Sequence, residues 1–150
     1  MKLAEALQER ADLARKLDSL KSRLAHNALV QEGDSPAEDP ALLLEEYDHS
    51  LFRLEELLCR INLTNCQTTV DGETLTALLA RRDILKEKLS GYRLLVNEAS
   101  ATARRATRSE ISILSAVDVA AIQKTADSTA KELRLLDNRI QAANWTTELM

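Results

Sequence analysis

Apolar residues recur along this chain at alternating spacings of three and four. Between Pro40 and Gln67 the series Leu44, Tyr47, Leu51, Leu54, Leu58, Ile61 and Asn65 runs without a break, and Leu43 and Leu57 widen it on one side. That alternation predicts a helix with one apolar stripe. It would be about 40 Å long, and a helix of that length with one apolar stripe requires neighbours to cover it. Three further segments carry the same spacing. The first reads Leu3, Ala6, Arg10, Leu13, Leu17, Leu20, Leu24, Asn27. A later one reads Leu75, Leu78, Arg82, Leu85, Leu89, Tyr92, Val96, Ala99, and the last reads Val119, Ile122, Ala126, Thr129, Leu133, Leu136, Ile140, Ala143.

The breaks between stripes carry start and stop chemistry. Gly33 suits a helix stop, and Asp39-Pro40 places a capping carboxylate before a proline at the first helical position. Asp118 is a second cap. These signals predict helices over about 2–30, 40–67, 74–99 and 118–143. Thr68, Thr69 and Val70 lead into Asp71-Gly72, a pair suited to a tight turn, so a small β-ribbon is expected near 67–74. Residues 110–117 alternate with β-branched side chains, which predicts a short strand set to pair with that ribbon. The expected fold is mainly α and a single helical domain over 1–150. Its long antiparallel helices form a four-helix-bundle or coiled-coil-like arrangement, with the ribbon near 67–74 and 110–117.

Composition narrows the function. Hydrophobic residues make up 45% and aromatic residues only 3%, so the core is aliphatic. The formal charge of −4 argues against a nucleic-acid partner, and the basic cluster Arg104, Arg105, Arg108 has no interleaved aromatics on which bases would stack. No apolar run approaches the ~18 residues of a membrane span, and residues 1–9 lack the apolar block of a secretory signal. A cytoplasmic protein with no membrane partner is expected. Cys59 and Cys66 are seven apart, roughly 10 Å on a helix and beyond disulfide reach, so two small buried or half-buried thiols are expected.

With three glycines in all, the chain has no glycine-rich phosphate loop, and no catalytic motif stands out. Glu46-x-x-His49 has the spacing of di-metal bundles but occurs once, and His49 falls off the stripe. No metal, cofactor or catalytic residue is expected.

Polar residues on the stripes are the remaining candidates. Arg10, Asn27, Asn65 and Arg82 occupy stripe positions, where polar groups fix register or need a partner. With Asn62 and Asp83 they make a speculative set for a small anionic ligand, the arginines supplying charge. The competing reading lays the arginine stems along the seam with their heads in water. Long thin helices with few aromatics also leave apolar surface uncovered, which predicts a homo-oligomer. The favoured expectation is therefore a self-associating scaffold or protein-interaction protein rather than an enzyme.

Several stretches together resemble a known family. They are Lys2-Leu3-Ala4-Glu5-Ala6-Leu7, Arg10-Ala11-Asp12-Leu13, Asn27-Ala28-x-Val30-Gln31-Glu32-Gly33 and Pro36-Ala37-Glu38-Asp39-Pro40. Arg60-Ile61-Asn62-x-Thr64-Asn65, Leu75-Thr76-x-Leu78, Arg82-Asp83, Val117-Asp118-Val119 and Asn144-Trp145-Thr146-Thr147-Glu148-Leu149 complete the set. The combination spans essentially the whole chain. It resembles an uncharacterised bacterial family, typified by a Corynebacterium protein and sometimes labelled septicolysin. The resemblance implies a small helical bacterial protein of unknown function and supplies no active site.

Overall fold

The computed structural model describes residues 1–102 and 111–150. Four long helices run among them: α1 (Leu3–His26), α2 (Pro40–Gln67), α3 (Leu75–Ala99) and α4 (Val119–Thr146). Two short strands, β1 (Thr69–Val70) and β2 (Glu73–Thr74), form an antiparallel pair. The fold is mainly α, as the stripes predict. Each helix starts where its cap requires. The Asp39 carboxylate accepts the Ala41 N–H at 2.9 Å, the Thr74 hydroxyl accepts that of Ala77 at 3.2 Å, and the Asp118 carboxylate accepts that of Ala121 at 3.1 Å. On α1 the Glu5 carboxylate reaches back to the Lys2 N–H at 2.7 Å.

The ribbon closes on itself. Asp71 and Gly72 both take positive φ, 52° and 85°, the turn whose twist matches a two-residue hairpin. Thr69 then pairs with Thr74 and Val70 with Glu73. This local closure replaces the expected pairing with 110–117: residues 111–117 hold no strand. Glu110 and the Arg104, Arg105, Arg108 cluster lie outside the described residues.

The chain divides into two compact units, Met1–Thr68 with Ala143–Met150 and Thr69–Ala142. In the first, α1 and α2 form an antiparallel hairpin, and three ion pairs run from α1, two to α2 and one to the linker that precedes it. Glu9 meets Arg53 at 2.6 Å, Lys16 meets Glu46 at 2.9 Å, and Arg23 meets Glu38. The α1 members are seven residues apart, so one flank of α1 is charged in register with its partner. Beneath lie Leu3, Ala6, Leu17 and Leu20 of α1 and Leu43, Leu57 and Ile61 of α2, all buried. In the second unit the buried residues are Leu75, Leu78, Leu85 and Leu89 of α3 with Ala126, Thr129, Leu136 and Ile140 of α4. On α3 and α4 the predicted stripes are the buried ones.

On α2 the stripe is displaced by one residue. The inward series is Leu43, Tyr47, Ser50, Leu54, Leu57, Ile61 and Thr64, in which Tyr47 and Leu54 are half-buried and the rest buried. Leu44, Leu51 and Leu58, expected inside, remain 51%, 40% and 38% exposed. The cause is a choice between two neighbouring heptad rows. One row reads Leu44, Leu51, Leu58 and Asn65, and the other Leu43, Ser50, Leu57 and Thr64, so the buried row carries the smaller side chains. Thr64 makes its polarity harmless by donating its hydroxyl to the Arg60 carbonyl at 2.8 Å. The same displacement turns Cys59 and Cys66 outward, and both thiols are exposed rather than buried.

Candidate interaction surface

The polar residues predicted as a ligand set take separate places. Asn27 is buried where α1 ends: its amide donates to the Arg23 carbonyl at 2.8 Å, and its oxygen accepts the Glu38 N–H at 3.0 Å. It thereby satisfies a helix-end carbonyl and fastens the linker to α1. Asn62, exposed, and Asn65, half-buried, sit near the other end of the α1–α2 hairpin, about 40 Å from Asn27 by helical rise. Arg10 is exposed on α1 rather than seated in a seam. Arg82 of α3 is half-buried and leans 3.4 Å from the Asp83 carboxylate, so these two meet each other. Among the described residues no group of three metal-ligating side chains forms, and His49 is exposed.

Other stretches singled out in the sequence do converge. Leu3 donates its N–H to the Thr147 carbonyl and Leu149 donates to that of Met1, each at 2.9 Å, so Lys2 and Glu148 lie across an antiparallel bridge. Hydrogen bonds from the Lys2 ammonium and the Met1 amino group hold the Glu148 carboxyl below the usual carboxylate range. The Arg60 guanidinium donates to the Met150 carbonyl at 2.7 Å, and the Met150 N–H donates to the Thr64 hydroxyl at 3.0 Å. Lys2, Arg60, Thr64 and Glu148 thus clasp 1–3, α2 and 147–150 together within one unit. Their polar groups are spent on one another.

The titratable groups tell the same story. Glu9, Glu38, Glu46 and Glu73 all ionise below the usual range because an Arg or Lys hydrogen-bonds each one. These are ion pairs at the surface. The clefts within the second unit are open. One of about 270 Å³, walled chiefly by Leu95, Ala99, Ile113, Leu114 and Val117, is apolar and shallow.

What remains unsatisfied is the outer flank of α2. Residues 44–64 read as three heptads, in which Leu44, Leu51 and Leu58 open each repeat and Asp48, Glu55 and Asn62 stand four further on. The leucines form one row, and Phe52, 69% exposed, lies further round the helix. The two basic residues of α2 are turned away from this flank, Arg53 toward Glu9 and Arg60 toward Met150. Asp48 and Glu55 therefore have no ion-pair partner among the described residues. The heptad reading marked this row but assigned it to the interior. The signal for its exposure was the polar residue recurring beside each leucine, Asp48, Glu55 and Asn62.

Comparison with known proteins places the chain. Residues 10–149 match a family of unknown function, DUF6847, and the chain belongs to that family. A solved structure, described as the crystal structure of a functionally unknown conserved protein from Corynebacterium diphtheriae, is 42% identical. It covers all of this chain and 99% of its own, with a TM-score of 0.95. No curated protein matches.

Proposed function

We propose that this member of the family is a self-associating helical interaction protein, and that the outer flank of α2 is its contact surface. The observation that carries the reading is the row Leu44, Leu51, Leu58. A helix face with a leucine every seven residues, each 38–51% exposed, is the face a partner helix covers in a coiled coil. Support comes also from chemistry that is spent elsewhere: Asn27 braces the end of α1, Arg60 and Thr64 hold Met150, and the shifted carboxyls serve ion pairs. No helix among the described residues is long and apolar enough to cross a membrane. On this reading the protein works in the cytoplasm, where Cys59 and Cys66 stay reduced.

Light scattering over a concentration series tests the proposal. The expected mass rises with concentration above the 16.7 kDa of one chain, and Leu51→Asp with Leu58→Asp returns it to one chain without loss of helix content. A wild-type chain that stays at 16.7 kDa at the highest concentration refutes it.

A further inference from the structure

α4 carries a second exposed row outside its buried seam. Ala121, Ser128 and Leu135 recur every seven residues along it, and all three are exposed. Ser128 donates its hydroxyl back to the Thr125 carbonyl at 3.0 Å, so the first two positions present little bulk and no outward polar demand. Beside this row stand Lys124, Lys131 and Asn138, also exposed and also seven apart. Neither lysine has an ion-pair partner among the described residues.

The α2 flank is the counterpart of this row. Its repeats pair large leucines with Asp48, Glu55 and Asn62, whereas those of α4 pair Ala121, Ser128 and Leu135 with Lys124, Lys131 and Asn138, so that two repeats set leucine on a small residue and the third sets leucine on leucine. Laid parallel in register, Leu44 and Leu51 fall on Ala121 and Ser128, where space is left for them. The same alignment brings Asp48 to Lys124, Glu55 to Lys131 and Asn62 to Asn138. Both rows span fourteen residues, about 21 Å of helix. A second α2 flank is a poorer partner: antiparallel pairing sets acid against acid, and parallel pairing leaves both acids without cations.

Resting on the self-association proposed above, we infer that the occupant of the α2 flank is the Lys124–Lys131 face of α4 from a second copy of this chain. The contact joins two different faces, so it closes a two-fold dimer where both pairs of faces meet at once and otherwise builds chains or a closed ring. One helix-on-helix seam is small for a specific interface, which sets the expected Kd in the micromolar range or weaker.

Charge-swapped variants test this. Asp48→Lys with Glu55→Lys makes both faces basic, and Lys124→Glu with Lys131→Glu makes both acidic. All four positions are exposed, so both variants keep the fold, which far-ultraviolet circular dichroism verifies. Each variant alone is expected to associate at least about tenfold more weakly than wild type, because like charges then meet. An equimolar mixture is expected to recover the wild-type affinity, because the reversed acids of one variant meet the reversed lysines of the other. If wild type associates but both variants associate equally well, self-association stands and the α2–α4 pairing is wrong. The pairing is equally overturned if the variants fail alone and their mixture does not recover. A monomeric wild type overturns the inference together with the reading beneath it.

Discussion

Truncating Leu57 and Leu58 separately asks which row of α2 faces inward. The two are neighbours in sequence with the same chemistry and helix propensity, so the backbone effect of alanine cancels between them. Leu57 is fully buried at 0% exposure, and Leu58 keeps 38% of its surface in solvent. Leu57→Ala loses the transfer free energy of the removed carbons and leaves a hole between α1 and α2. Substitutions of this kind cost about 2–5 kcal/mol. Leu58→Ala removes carbons already in contact with water and leaves no enclosed void, so a cost of about 1 kcal/mol or less is expected. In a chain of 150 residues, where 1 kcal/mol moves the midpoint by roughly 2–4 °C, Tm should fall by roughly 5–15 °C for the first and by no more than about 4 °C for the second. Differential scanning calorimetry at low micromolar concentration keeps self-association out of the comparison. Urea titration at unchanged slope confirms that stability alone has moved. Equal losses, or a larger loss for Leu58, would show that the row of Leu44, Leu51 and Leu58 packs inside and would remove the surface on which the functional reading stands.

Ser50 is 1% exposed and its hydroxyl finds no partner among the described residues, so Ser50→Ala should be neutral or raise stability by up to about 1 kcal/mol, read as a Tm unchanged or higher by a few degrees. A clear drop in Tm would mean that the hydroxyl is bonded in solution. Glu9, Glu38, Glu46 and Glu148 have folded-state pKa values below those of the unfolded chain. Their contribution is therefore complete above the unfolded value of about 4.3 and is lost as pH falls through the folded values. Tm should be flat from about pH 6 to 8 and decline below about pH 4.5, and Glu9→Gln should lower Tm at neutral pH and shrink that acid decline. An undiminished decline in Glu9→Gln would show that the Arg53 pair contributes nothing.

The sequence told much about the helices and little about their rotation. Start and stop signals are local: Asp39-Pro40 and Asp118 act on the next turn of backbone, and α2 begins and α4 follows where they predict. Heptad rows are also local where only one is apolar, as on α3 and α4. On α2 two adjacent rows compete, and the choice depends on a neighbour. The structure buries Ser50 and Thr64, which polarity alone argued against. The strand expected at 110–117 failed for a related reason. Alternation of apolar residues measures a preference, but Asp71 and Gly72 closed the ribbon with the nearest partner before a distant one was needed.

The same distinction separates joints from surfaces. Asn27 looked like a ligand-binding residue because it stands on a stripe, and Arg60 and Thr64 fell in one of the stretches that carry the family resemblance. Each turns out to answer a need the fold itself creates, a helix-end carbonyl, a linker N–H or a chain segment to be tied down. A polar group so engaged would have to break a bond before it held a ligand. The residues whose needs the chain does not meet are of another kind: leucines at 38–51% exposure, and acids and lysines in heptad register without ion-pair partners among the described residues. Burial of the leucines removes apolar surface from water, and opposed charges fix which face does the burying. On the proposed reading the association surface is what is left unsatisfied, the α2 flank and the lysine face of α4.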